Sequence, residues 1–159
     1  MRLIRASVAD IPRIMECARE FTHTLAAELN EAHYQRVWEG ILERDAGVIF
    51  LLETDAGQIA GGLGGVKSQC FLSGQCMAVE LFWYCKEEHR RGTWPIRLLR
   101  EFERWAAQSG CEFCHMIHME GSMPEHLKSL YARLGYTLLE TTHRKRLPPA
   151  GGYDTLKSQ

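Results

Sequence analysis

Residues 79–107, VELFWYCKEEHRRGTWPIRLLREFERWAA, restrict this chain more than any other stretch, because they run strand, basic turn, amphipathic helix. Val79 to Cys85 is apolar, aromatic and β-branched over the length of a strand. Lys86 to Thr93 breaks that run with charge and a glycine. Pro95 then suits the first turn of a helix, where its missing N–H leaves no bond unmade. Leu98, Leu99, Phe102, Trp105 and Ala106 recur at helical spacing, and Arg97, Arg100, Glu101, Glu103 and Arg104 fill the polar face. A helix N-terminus carries unpaired N–H groups and a partial positive charge, so it attracts anions. Arg90 and Arg91 stand beside this one. The order therefore makes either an anion site or a solvated basic turn ahead of a surface helix.

The rest of the chain supplies the elements around it. Leu3 to Ala6 reads as a first strand, and Ser7 to Asp10 resembles a capping box with Asp in place of Glu. Ile11, Ile14, Ala18, Phe21 and Leu25 form one helical stripe. Asn30 caps a second helix that turns Tyr34, Val37, Trp38 and Ile41 inward. Gly47 to Leu52 is an apolar strand, Thr54 to Gly57 a hairpin turn, and the following strand carries Gly61, Gly62, Gly64 and Gly65. Those glycines precede no helix, so they mark a bulged or closely approached strand rather than a phosphate cradle. Ser73-Gly74 turns into the central strand. Glu112 to Met119 is a fifth strand, ended by Glu120 to Ser122. Pro124 opens a last helix with Leu127, Leu130, Tyr131 and Leu134 on its apolar face, and Gly135 closes it. Two more strands are expected near Tyr136 to Glu140 and His143 to Leu147.

Length and charge bound the function classes. With 159 residues the chain forms one domain with a proper core. A net charge of −1 argues against general attraction to nucleic acid or an anionic membrane. No apolar run reaches the length of a membrane span, and the first residues read as a strand rather than a leader. The expectation is a cytoplasmic protein with its six cysteines reduced. Cys111-Glu112-Phe113-Cys114-His115 matches the spacing of covalent haem attachment. On a strand, however, Cys111 and Cys114 point to opposite faces, which spoils a metal clip. No metal is expected.

Two segments together resemble a known superfamily. The turn into the helix at Pro95 is similar to the pyrophosphate loop of the GNAT N-acetyltransferases, whose usual pattern is Arg/Gln-x-x-Gly-x-Gly/Ala after a strand. Leu130-Tyr131-Ala132-Arg133-Leu134-Gly135-Tyr136 resembles that superfamily's LYxxxGF segment more specifically. The element order agrees over nearly the whole chain, and the small phage and bacterial members are the nearest in pattern. The resemblance implies a single-domain α/β (α+β) fold, a mixed central sheet of six or seven strands flanked by about four helices. Residues 1–148 would form the acetyltransferase domain and residues 149–159 a mobile tail.

What the resemblance implies for chemistry is acetyl transfer from acetyl-CoA to an amine of a small molecule or a protein. Tyr131 falls where the family's acid tyrosine protonates the departing thiolate; a phenol with an ordinary pKa of about 10 suits that task. As a plain structural residue it would be a core tyrosine with one hydrogen bond. Glu80 is the candidate base, directly or through water, because apolar neighbours would raise its pKa toward neutrality; the plain reading is a strand glutamate paired with Lys or Arg. His115 and His118 could serve instead. Tyr84, Cys85, Arg90, Arg91, Gly92, Thr93, Trp94 and Pro95 are the candidate acetyl-CoA contacts, with a backbone N–H near Tyr84 or Cys85 polarising the thioester.

The chain departs from the pattern in the loop. Aligned without a gap, Thr93 and Pro95 occupy the two small positions; shifted by one, Gly92 fits and Trp94 does not. Pro124 also stands near the place of the usual asparagine, and Leu127 replaces a common alanine. The alternative reading is therefore a GNAT-shaped module that binds CoA or a protein partner without turnover. Substrate selection would lie in Phe21 to Tyr34 and the last strands. The acceptor amine is not legible, and a homodimer remains open.

Overall fold

The computed structural model describes residues 1–25, 28–119, 121 and 123–148. The side chain of Leu25 and the tail expected at 149–159 lie outside the described residues. The fold divides into two compact units, Met1–Pro124 and Glu125–Gln159.

The first unit is a five-stranded mixed sheet with helices on both faces. Its strands are β1 (Arg2–Arg5), β2 (Gly47–Glu53), β3 (Ile59–Gln69), β4 (Cys76–Cys85) and β5 (Phe113–His115), and they lie in sequence order. The first four pair antiparallel, and β4 pairs parallel with β5. α1 (Ile11–Leu25) and α2 (Glu31–Glu43) follow β1, and α3 (Trp94–Gln108) joins β4 to β5. A helical crossover is what two parallel neighbours require.

Local chemistry explains the element ends. The Ser7 N–H and hydroxyl both donate to the Asp10 carboxylate at 2.9 Å, which starts the first helical segment. Asn30 accepts the His33 N–H at 3.0 Å and caps α2. Every residue of β2 is buried, as a central strand covered on both faces demands. Ile14, Cys17 and Trp38 cover one face of the sheet with Ile49, Leu51 and Phe82. On the other face α3 buries Leu98, Leu99, Phe102, Trp105 and Ala106, the five residues its spacing singled out.

The glycines of β3 are places of close approach. A Cβ on Gly64 would lie 2.5 Å from the Phe82 ring, and one on Gly65 would lie 2.6 Å from the Phe102 ring. The strand therefore accepts an aromatic ring on each face where other residues would collide. Opposite these glycines the β3–β4 register shifts, with Gly64 facing Phe82 and Gly65 facing Glu80, so Leu81 is a bulged residue. Paired residues share a face of the sheet. The bulge thus puts Glu80 on the α3 face and Phe82 on the α1/α2 face, although only Leu81 separates them.

In the second unit the described part is α4 (Pro124–Arg133), which opens at Pro124 on the boundary, and the chain to Pro148. α4 buries Tyr131, whose ring lies 5.5 Å from that of Tyr136. Gly135 takes a φ of +89°, and the Gly135 and Tyr136 N–H groups bond back to Ala132 and Tyr131. That is the Schellman ending glycine permits.

Two expectations need correction. Among the described residues the sheet has five strands rather than six or seven, because 136–148 carries no strand. Leu138 and Leu139 are adjacent and both exposed, so this segment has no alternation to bury one face. The fifth strand is three residues long instead of the eight expected from Glu112 to Met119.

Candidate active site at the parting of two strands

β4 and β5 pair over three positions only, Met77 with Phe113, Ala78 with Cys114, and Val79 with His115. Beyond Val79, β4 continues to Cys85 without that neighbour, while the chain after His115 leaves strand geometry. The edge of β4 from Glu80 to Cys85 therefore has backbone groups with no β5 partner, as an opened sheet edge must. His118 is consequently off the strand on which it was expected.

Glu80 sits at the parting point. The residue is 4% exposed, and its carboxylate accepts the Ile117 N–H at 2.8 Å. A side chain thus takes the place of the next ladder bond just where the ladder ends. Burial pushes the carboxyl up to about 7, and the Ile117 bond offsets this only in part. Among the described residues no lysine or arginine forms an ion pair with it, in contrast to the plain strand-glutamate reading.

The turn after β4 has a short 3-10 segment at Glu87–His89, and Gly92 has a φ of +96° with open space where a Cβ would stand. α3 then begins at Trp94 with Pro95 in its first turn. The Thr93 carbonyl accepts the Arg97 N–H at 3.0 Å. Among the described backbone bonds none uses the N–H of Arg91, Gly92, Thr93, Trp94 or Ile96. These donors and the exposed Arg91 suit a multiply charged anion, although Pro95 removes one donor from the set.

Arg90 has a different place from Arg91. Its Nε donates to the Cys85 carbonyl at 2.9 Å, and its guanidinium lies 5.8 Å from the centre of the Tyr84 ring. It ties the turn to the end of β4. Trp94 is covered by the Arg97 guanidinium at 4.4 Å. Cys85 is buried with its thiol pushed up to about 12 by burial, so it stays a thiol at neutral pH.

Tyr84 leads to a cluster that the sequence offered no sign of. Its hydroxyl bonds to the Glu20 carboxylate, and Lys86 reaches Glu16 at 2.8 Å. Burial first, and then the Glu20 carboxylate, raise the Tyr84 phenol to about 12. Glu16 and Glu20 are one helical turn apart on α1, a spacing visible in the sequence, but their partners are more than sixty residues away. The Cys-x-x-Cys-His stretch divides: Cys114 lies on β5, whereas Cys111 precedes it, next to the Glu112 N–H that bonds the Cys76 carbonyl at 2.9 Å. No helix among the described residues is long and apolar enough to cross a membrane.

Comparison with solved structures identifies the fold. A probable acetyltransferase superimposes with a TM-score of 0.74 at 18% identity, covering 94% of this chain and 99% of its own. Glucosamine-6-phosphate N-acetyltransferase from Arabidopsis thaliana gives 0.72 at 14% identity, with 92% and 98% covered. A predicted acetyltransferase with acetyl-CoA from Clostridium acetobutylicum gives 0.72 at 12%, with 91% and 95% covered. No protein-family model matches the sequence, and no curated protein matches it either. The chain has the GNAT fold.

Proposed function

We propose that residues 1–148 act as an acetyl-CoA-dependent N-acetyltransferase. The observation that carries the reading is the coincidence of two features on one strand. β4 loses its β5 neighbour after Val79, and the turn that follows β4 ends in helix N-terminal donors that no described backbone bond uses. An open strand edge suits an extended chain bearing amides, and a donor-rich helix terminus suits the phosphates at its far end. The donors of Arg91 to Trp94 and the Arg91 charge would hold a pyrophosphate, with Arg90 keeping the turn in place through Cys85 and Tyr84. Acetyl-CoA supplies a thioester, whose carbonyl carbon bonds to the amine nitrogen as the C–S bond breaks.

The chain then has three tasks. N–H groups on the stretch of β4 beyond its pairing with β5 polarise the thioester oxygen. Glu80 accepts the amine proton, and a carboxyl group near 7 suits proton transfer at neutral pH. Because the β3–β4 register turns Glu80 toward α3, the proton reaches it through water in the gap between β4 and β5. The resemblance of Leu130 to Tyr136 to the LYxxxGF segment gives Tyr131 the third task, a proton for the departing sulfur. One proton leaves nitrogen and one reaches sulfur, so the transfer is balanced. The acting compartment in this reading is the cytoplasm, and no nucleic acid or membrane takes part.

The first experiment is thermal unfolding with and without acetyl-CoA. A ligand at 100 times its Kd adds about 2.7 kcal/mol to stability. A rise in Tm with acetyl-CoA supports the reading, and none at millimolar concentration removes it.

A further inference from the structure

All six cysteines are thiols, and three of them gather where β4 meets β5: Cys76, Cys111 and Cys114, each half-buried. Cys76 opens β4, and Cys114 pairs with Ala78, two residues further along. Paired residues share a face of a sheet, and so do residues two apart on one strand. Cys76 and Cys114 therefore lie on the α3 face, as Glu80 does. Cys111 comes off the end of α3, where its N–H bonds the Ala106 carbonyl at 2.9 Å. The next residue, Glu112, donates its N–H to the Cys76 carbonyl at 2.9 Å and so ties the two backbones together.

The side chains meet as well. The Cys111 thiol hydrogen-bonds to that of Cys76, whereas Cys114 acts on it only from farther off. Burial first, and then this bond, push the Cys111 thiol up to about 12. Lys67 pairs with Ala78 on the same face, and its ammonium charge favours a thiolate nearby. Cys70 is close to Cys76 in sequence but not in direction: it follows Gln69, which pairs with Cys76, so it points to the opposite face. Cys17 and Cys85 are buried. The Cys-x-x-Cys spacing thus joins the wrong two residues, and Cys111 has its partner on β4.

We propose that Cys76 and Cys111 are a redox-responsive thiol pair, which a peroxide closes into a disulfide that clamps β5 to β4. The Cys76 sulfur attacks one peroxide oxygen, the O–O bond breaks, and one water leaves a sulfenic acid on Cys76. The Cys111 sulfur then bonds to the Cys76 sulfur, the S–O bond breaks, and a second water leaves. Two thiols are oxidised and one peroxide is reduced to two waters. Sulfurs already in hydrogen-bond contact have only to rotate and close to about 2.05 Å. β5 is held to β4 at three positions, so a covalent bond beside them fixes the paired end of the two strands, opposite the end where they part. Neither sulfur takes part in acetyl transfer, so the pair does not depend on that reading.

The full chain, reduced and then freed of dithiothreitol, is treated with hydrogen peroxide, blocked with N-ethylmaleimide and digested with trypsin. Mass spectrometry should find residues 68–86 linked to residues 105–128, with fragments that place the bond at Cys76 and Cys111. The Tm should rise by about 5 °C or more on oxidation and fall back with dithiothreitol. Cys70→Ser and Cys114→Ser should keep both effects, and Cys76→Ser and Cys111→Ser should lose them. The bond is mapped on the wild type, so a serine variant that fails to fold leaves that result standing. Absence of a disulfide, a bond through Cys70 or Cys114, or a bond only between two chains overturns the proposal. A Cys76–Cys111 bond that leaves the Tm unchanged overturns the clamp.

Discussion

Replacing Glu80 by Gln should make the protein more stable at alkaline pH and change how stability depends on pH. The folded carboxyl is raised from an ordinary value of 4.5 to about 7, chiefly by burial. A raised folded value means that the stability is present below about pH 4.5 and is lost as pH climbs through about 7. That displacement, at about 1.4 kcal/mol for each pH unit, corresponds to about 3 kcal/mol. Between pH 5 and pH 8 the group alone should remove about 2.5 kcal/mol from the wild type. Gln keeps a carbonyl for the Ile117 N–H but has no proton to lose. Urea unfolding of both proteins across this range isolates the effect, because carboxylates such as Asp10, whose value is lowered by the Ser7 N–H, are common to both. The stability of Glu80→Gln relative to wild type should rise by about 2.5 kcal/mol from pH 5 to pH 8. A difference that stays constant with pH would show that Glu80 is not buried as an unpaired acid, and it would also remove the basis for its role as base.

Two further substitutions test the proposed chemistry. Arg90→Ala should weaken acetyl-CoA binding more than Arg104→Ala, because Arg90 holds the turn to the Cys85 carbonyl while Arg104 pairs with Glu101 on the outside of α3; equal Kd values in a direct binding assay would place the phosphates elsewhere. Tyr131→Phe keeps the ring that packs on Tyr136 but removes the phenol proton, so kcat should fall about 10²–10⁴-fold with acetyl-CoA binding nearly unchanged. An unaltered kcat, read by thiol release, would take Tyr131 out of the mechanism.

Most elements of this chain are legible in its sequence, because their signals are local. The five buried residues of α3 lie within nine positions of one another, and their spacing alone turns them to one side. Asn30 and Gly135 act on backbone groups within five residues, so residue type predicts the cap. The glycines of β3 announce a close approach, though not that Phe82 and Phe102 make it from opposite faces.

The site requires pairing between distant segments. By period two, Glu80 and Phe82 belong on one face; the bulge at Leu81 separates them, and a bulge is a property of two strands together. Glu80 meets Ile117 thirty-seven residues away, and Tyr84 meets Glu20 sixty-four residues away. No short window of sequence contains either bond. The closing strands failed for the related reason that a strand exists only with a neighbour to pair with, and 136–148 offers β-forming residues without such a ladder. Side-chain period and caps are written in neighbouring residues. Register and the parting of β4 from β5 arise only when the sheet is assembled.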